Sequence, residues 1–107
     1  MIDEARLEAA MLYLADTDLA YGTAKGELVR SEILVERAKA RVFLIADGNV
    51  EERKSIAKTS SEVTTAEDAY IDAVTRFEHL RARRQRAELV IEVWRSLEAS
   101  RRKAAFA

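Results

Sequence analysis

The chain contains no cysteine, no proline and only three glycines among its 107 residues. The absence of cysteine excludes a disulfide framework, a thiolate nucleophile and any cysteine-based zinc or iron–sulfur site. The absence of proline and the low glycine content leave few interruptions to helical structure. With 49% hydrophobic and 35% charged residues, the composition is too apolar for a disordered chain and is typical of long helices.

Histidine is almost absent as well, since His79 is the only one. A general acid–base or metal site needs converging ligands, and on a helix His79 points away from the neighbouring apolar stripe. A di-metal bundle would need Glu-x-x-His pairs, but Arg76 stands three residues before His79. Paired carboxylates do occur at helical spacing, as Glu4/Glu8, Glu32/Glu36 and Glu88/Glu92. We expect solvated carboxylates, a solvated His79, no catalytic residue or enzymatic activity, no metal and no cofactor.

Long uncharged segments are also lacking. No stretch approaches the ~18 apolar residues of a membrane span, and the first residues lack the basic region and apolar run of a secretory signal. The 107 residues have the length of one domain. We expect a single domain over residues 1–107, a cytoplasmic location and no membrane partner.

A seven-residue repeat of large and small residues runs along the first part of the chain. Its large positions are Leu7, Leu14, Tyr21, Leu28, Val35 and Val42, and the positions three residues later are Ala10, Thr17, Ala24, Ser31, Ala38 and Ile45. The repeat predicts one long helix, from about residue 3 to residue 46, packed closely against another helix. Gly22 and Gly26 lie within it at a spacing of four, which fits either a local weak point or the close approach of a neighbouring backbone.

A turn is predicted at residues 47–49. Gly48 suits the left-handed position that follows a helix, and Asn49 with Glu52 has the spacing of an N-cap and its capping carboxylate. A second helix is therefore predicted from about residue 50 to residue 100, followed by a fraying tail.

Hydroxyl side chains between residues 59 and 65 compete for backbone hydrogen bonds. They leave two alternatives open: a break with a fresh cap at Ser61 or Thr64, or a second helix that runs on without interruption.

The second helix carries an apolar stripe of its own. Its members are Tyr70, Ala73, Phe77, Leu80, Ala87, Ile91 and Trp94, widened by Val74, Val90, Val93 and Leu97. Two long helices joined by a short turn predict an all-α, long antiparallel helical hairpin. Since two helices cannot cover stripes this wide, we expect the hairpin to dimerise into a four-helix bundle or coiled coil.

The charges are unevenly distributed along the chain. Residues 1–20 carry one base and five acids, whereas residues 80–107 carry eight bases and three acids. The candidate interaction residues come from the second segment: Arg81, Arg83, Arg84, Arg86, Trp94 and Arg95. Arginine matches the geometry of phosphate, but at 100° per residue these arginines ring the helix. Three alternatives stay open: pairing with Asp16 and Asp18, contact with nucleic acid, and contact with an acidic protein.

Arg84 and Trp94 both fall on the apolar stripe of the second helix. A charge on a packing seam costs stability unless it is paired, and its best-attested use is to fix register or partner choice. We therefore expect an interchain ion pair at Arg84. Trp94 at this spacing is a core residue, an interface anchor or both.

Three segments of the C-terminal half carry a resemblance: 51–54 (EERK), 77–84 (FEHLRARR) and 87–95 (AELVIEVWR). They resemble small helical accessory proteins of tailed bacteriophages and prophages. The resemblance implies a product of an early region, sometimes encoded near single-strand annealing recombination proteins, and it carries over no active site. The leading hypothesis is a non-enzymatic accessory protein that binds another protein, in recombination or in inhibition of a host system. The alternatives are a nucleic-acid-binding module that uses the arginine-rich helix, and a structural or assembly coiled coil.

Overall fold

The computed structural model describes residues 2–106, and helices cover nearly all of them. The three helices are α1 (Glu4–Ile45), α2 (Val50–Thr59) and α3 (Ser61–Phe106), and residues 2–106 contain no strand. The predicted all-α class is confirmed.

The first helix begins and ends at local signals in the sequence. Asp3 caps its first turn, because the Asp3 Oδ1 accepts a hydrogen bond of 2.9 Å from the Arg6 amide. After α1 the chain turns at Gly48, whose φ of 110° is a conformation that side chains disfavour. This confirms the left-handed glycine predicted for the turn.

The start of α2 also follows the sequence. The Asn49 side chain accepts a hydrogen bond of 2.9 Å from the Glu52 amide, as an N-cap does. The helix ends at Thr59, because Ser60 has an extended backbone with ψ of 134°. Of the two alternatives for this region, the structure therefore has the break.

The cap of α3 is Ser60, and not Ser61 or Thr64. Its Oγ accepts a hydrogen bond of 3.2 Å from the Glu62 amide, and its carbonyl accepts one from the Thr64 amide. The end expected near residue 100 is also wrong, since α3 continues to Phe106. The residues after Ser100 are arginine, lysine and alanine, all good helix formers, and no glycine or proline stops them.

The chain divides into two compact units. The central unit is Gly22–Glu78, and the terminal unit combines Met1–Tyr21 with His79–Ala107. The single domain expected over residues 1–107 stays a prediction.

The central unit contains three helical segments around one apolar cluster. Glu27 pairs with Arg76, and Arg41 pairs with Glu62. Residue numbers therefore increase along α1 while those of the facing residues in α3 decrease. The two helices are antiparallel in this unit. The cluster itself consists of Ala38, Val42, Ala57 and Val63, with Ala66 packed against it.

The corner between α1 and α2 is held by Arg53. Its Nε donates a hydrogen bond of 2.9 Å to the Phe43 carbonyl, and its Nη2 donates one of 3.4 Å to the Leu44 carbonyl. The same guanidinium lies 4.4 Å from the centre of the Phe43 ring. These contacts satisfy carbonyls in the last turn of α1 that have no partner within the helix, and they place a cation at the negative end of the helix.

The terminal unit packs the first half of α1 against the second half of α3. Arg84 contacts residue Leu14, while Trp94 and Leu7 line one shallow groove, so the helices are antiparallel in this unit as well. Among the residues of this unit whose burial is described, the buried apolar side chains are Ala10 and Ala87. Alanine at these positions lets the two helices approach closely, but it removes little apolar surface from water.

The seven-residue repeat identifies the inward face of α1. Val35, Ala38 and Val42 are buried, and the large positions nearer the start of α1 are half-buried. Ile45 is the exception, because it ends the helix and is 74% exposed. The expected dimerisation into a bundle stays a prediction.

Candidate interaction surfaces

Arg84 makes several contacts with α1. Its Nη1 donates hydrogen bonds of 2.9 Å to the Leu14 carbonyl and 2.7 Å to the Thr17 Oγ1, and its Nη2 lies 2.6 Å from the Asp18 Oδ1. The guanidinium also lies 4.8 Å from the centre of the Tyr21 ring. This arginine therefore joins α3 to α1 within the terminal unit.

The position of Arg84 agrees with the sequence, and its carboxylate partner is Asp18 of the same chain. The side chain is 11% exposed, as a residue on the packing seam should be, whereas Asp18 is 71% exposed. Of the alternatives left open for the arginines, Arg84 shows pairing with Asp18, and it has two further acceptors within the same chain. The interchain ion pair expected at Arg84 stays a prediction. Its charge thus joins two helices of the terminal unit.

The other candidate arginines lie at the surface of α3. Arg81, Arg83, Arg86 and Arg95 are all exposed. Arg95 pairs with Glu92 at 3.0 Å, one turn away on the same helix, with both side chains about two-thirds exposed. An exposed pair of this kind contributes little stability.

Trp94 lies half-buried at the edge of the seam. It lines a groove of about 490 Å³ with Leu7, Met11, Leu12 and the first-turn carboxylates Glu4 and Glu8. One side of the indole therefore faces apolar residues of α1, and the groove remains open. This arrangement is compatible with both roles considered for Trp94, a core residue and an anchor.

His79 is exposed, as expected. Within residues 2–106 no group of three histidine, aspartate or glutamate side chains is placed to hold a metal ion. Over the same residues, none of the helices combines the length and the apolar character needed to cross a membrane.

The outer face of α1 carries an apolar surface that lies outside the seven-residue repeat of Leu7 to Val42. We call it the outer stripe; its members are Leu12, Ala15, Leu19, Gly22, Gly26, Val29 and Ile33. They follow one another at alternating spacings of three and four, which is the heptad spacing of a helix interface. Leu19 is 84% exposed, and Leu12, Val29 and Ile33 are about half exposed. A search for a second heptad, offset from the first, would have found the stripe.

A groove between α1 and α2 lies in the central unit. It has a volume of about 540 Å³ and an apolar floor of Ala40, Phe43, Leu44 and Ala57. Lys39, Lys54 and Lys58 stand around this floor, together with Glu36. We call this feature the lysine groove. It is suited to an amphipathic helix with acidic residues, because apolar contact and opposite charge are offered together.

No known protein family, curated protein or solved structure matches this chain. The resemblance to bacteriophage accessory proteins therefore stays a prediction.

Proposed function

We propose that this chain is a non-enzymatic accessory protein of the bacteriophage type, which acts in the cytoplasm by assembling with itself and binding another protein. Its recognition surface is the apolar outer side of its helices, and its task lies in recombination or in the inhibition of a host system. The observation that carries the proposal is the outer stripe of α1, where large apolar side chains stand in water at the spacing of a helix interface.

The extent of the accessible surface supports the same proposal. Folded monomers of 12.1 kDa expose about 6,000 Å² by the usual scaling with mass, whereas this chain exposes 8195 Å². The excess arises because few side chains are buried, and Leu19, Leu44 and Ile45 each remain more than 70% exposed. Association with a second protein surface removes apolar area of this kind from water.

The test is affinity capture with the purified chain from lysogenic or infected cells, with nuclease added. The wild-type chain should retain a protein partner after nuclease treatment, and Leu19→Glu should lose it while keeping its helicity. Leu89→Glu is the matched control, since Leu89 is 62% exposed on α3 and lies outside the outer stripe. Retention of nucleic acid alone, or equal capture by both variants, would contradict the proposal.

Nucleic-acid binding is the second candidate function. It is favoured by the exposure of Arg83 and Arg86 on α3, because arginine side chains at the surface are suited to contact phosphates. It is opposed by the use of Arg84 within the chain, which removes one cation from the cluster.

A further inference from the structure

The lysine groove of the central unit lacks an apolar cover. Leu44 is 72% exposed at its floor. Two of its lysines have weak partners: Lys39 lies 3.5 Å from Glu36, and Lys54 lies 3.9 Å from Glu51. Both pairs are exposed and one turn apart, so they hold the lysine side chains only loosely. An acidic helix can therefore compete for these cations.

The first turns of α1 have the complementary chemistry. Glu4 and Glu8 are exposed there, beside Met11 at 55% and Leu12 at 56% exposure. These turns combine carboxylates with apolar side chains on one exposed surface, as the lysine groove requires of its occupant. A second copy of the chain can supply them.

The glycines of the outer stripe fix how two copies would align. A Cβ atom added at Gly22 or at Gly26 would meet nothing within 4 Å, so the backbone there is open to another helix. In an antiparallel pair with two-fold symmetry, Gly22 of each copy can face Gly26 of the other. Each residue in line with the outer stripe then faces the one equally far beyond Ala24 on the second copy.

This register brings the charges together without further adjustment. Because α1 is continuous from Glu4 to Ile45, Glu8 of one copy faces Ala40 of the other, and the turn at Glu4 comes level with Leu44. Both acceptor positions belong to the lysine groove. The glycines and the charges are independent features of the sequence, and they agree on one alignment.

The flanks of the outer stripe contribute one attraction and one repulsion in this register. On the flanks, where pairing is offset by two residues from that of the stripe, Asp16 of each copy comes beside Arg30 of the other, with opposite charges. Asp18 comes near Glu32, with like charges, but Asp18 already lies 2.6 Å from the guanidinium of Arg84. The repulsion is therefore partly compensated within the chain.

We propose that the lysine groove is the docking site for the acidic first turns of α1 from a second copy, in an antiparallel dimer whose α1 helices cross at Gly22 and Gly26. The inference rests on the self-association in the proposed function and identifies the surface responsible. Two equivalent grooves are filled in each dimer, so the contact is closed and does not extend into fibres.

Charge reversal tests the docking contact. Dimer dissociation should be measured by sedimentation for the wild type, for Lys54→Glu with Lys58→Glu, and for Glu4→Lys with Glu8→Lys. Each double variant should dissociate about tenfold or more readily, because like charges then face one another. One chain carrying all four changes should return towards the wild-type affinity. Arg102→Glu with Lys103→Glu is the matched control, and it should leave dissociation unchanged.

A second variant tests the crossing point without changing charge. Gly26→Leu should be accepted within the chain, since nothing lies within 4 Å of the added Cβ, and leucine favours the helix. It should nevertheless weaken the dimer about tenfold, because its side chain separates the two backbones. Circular dichroism should show undiminished helicity in this variant.

The outcomes separate the inference from the proposed function. A wild-type dimer that is insensitive to charge reversal and to Gly26→Leu would overturn the docking site while leaving self-association intact. A wild type that is monomeric up to millimolar concentration would overturn self-association itself. Loss in both double variants with no recovery in the combined chain would also overturn the proposed pairing.

Discussion

The central and terminal units use different means to hold the same two helices. In the central unit α2 adds a third helical segment, and Ala57 contributes to a cluster in which Val63 is completely buried. In the terminal unit two helices meet by themselves, and their main polar link is Arg84. Burial is therefore concentrated where a third segment is present.

A pair of helices without a third segment buries few side chains completely. Two helices share one line of contact, so residues beside that line stay partly in water. A third segment closes one side of the contact and allows complete burial. Where it is absent, a directional interaction such as the Arg84 cluster fixes the alignment, but it adds little net stability because burying a charge is costly.

The largest effect should come from removing apolar volume in the central unit. Phe77 is 8% exposed, and Phe77→Ala should lower the free energy of unfolding by about 3–5 kcal/mol, through lost burial and the cavity left behind. Ile71→Ala is the matched control on the same helix, because Ile71 is 58% exposed, and it should cost about 0.5 kcal/mol or less. Urea unfolding followed by circular dichroism measures both. Equal losses of unfolding free energy in the two variants would show that Phe77 is packed no better than a residue at the surface of the central unit.

A smaller effect is expected at the polar link of the terminal unit. Arg84→Ala should cost about 1.5–3 kcal/mol, the range for hydrogen bonds to a charged group. The loss stays below that of a broken buried pair, because Asp18 is 71% exposed and remains solvated. Urea unfolding is again the measurement.

Arg84→Met is the informative companion to Arg84→Ala. Methionine fills much of the same space without a buried charge, so its stability should lie within about 1 kcal/mol of the wild type. If Arg84→Met were as destabilising as Arg84→Ala, the hydrogen bonds to Leu14 and Thr17 would contribute net stability, and the contrast between the units would weaken.

The smallest effect on stability should come from the exposed arginines of the terminal unit. Arg83→Ala with Arg86→Ala should leave unfolding nearly unchanged, since surface substitutions usually shift it by about 0.5 kcal/mol or less. DNA binding by the wild type should be weak near physiological salt. Fluorescence titration at several salt concentrations measures it. A tight complex that weakens by about 0.9 log unit per log unit of salt for each phosphate contacted, and that the double variant loses, would favour the nucleic-acid function.

Local signals in the sequence predicted much of the secondary structure. The turn predicted at residues 47–49 is confirmed by the φ of Gly48 and by the N-cap at Asn49. It was predictable because helix capping and the left-handed conformation of glycine depend on neighbouring residues alone. The break at Ser60 was left open, since a run of hydroxyl residues offers several caps of similar quality. Ser60 caps α3 because it is the hydroxyl residue whose backbone is extended.

The candidate surfaces were less predictable than the helices. The charge of Arg84 and its place on the stripe followed from spacing. Pairing with Asp18 stayed one alternative among several, because Asp18 lies far away in sequence and meets Arg84 only when α1 and α3 pack. The lysine groove was missed for the same reason. Its floor and its lysines come from two helices, and no periodicity within one helix reveals how they are combined.

The sequence by itself determined the helices, the turn at Gly48 and the inward face of α1, because propensity, capping and heptad spacing act over a few residues. The tertiary structure decided which charges are paired within the chain and which surfaces stay exposed. It placed Arg84 against Leu14, Thr17 and Asp18, and it left the lysine groove and the outer stripe uncovered. These outcomes depend on packing between segments distant in sequence, since whether a side chain is buried or paired is settled by its neighbours in space.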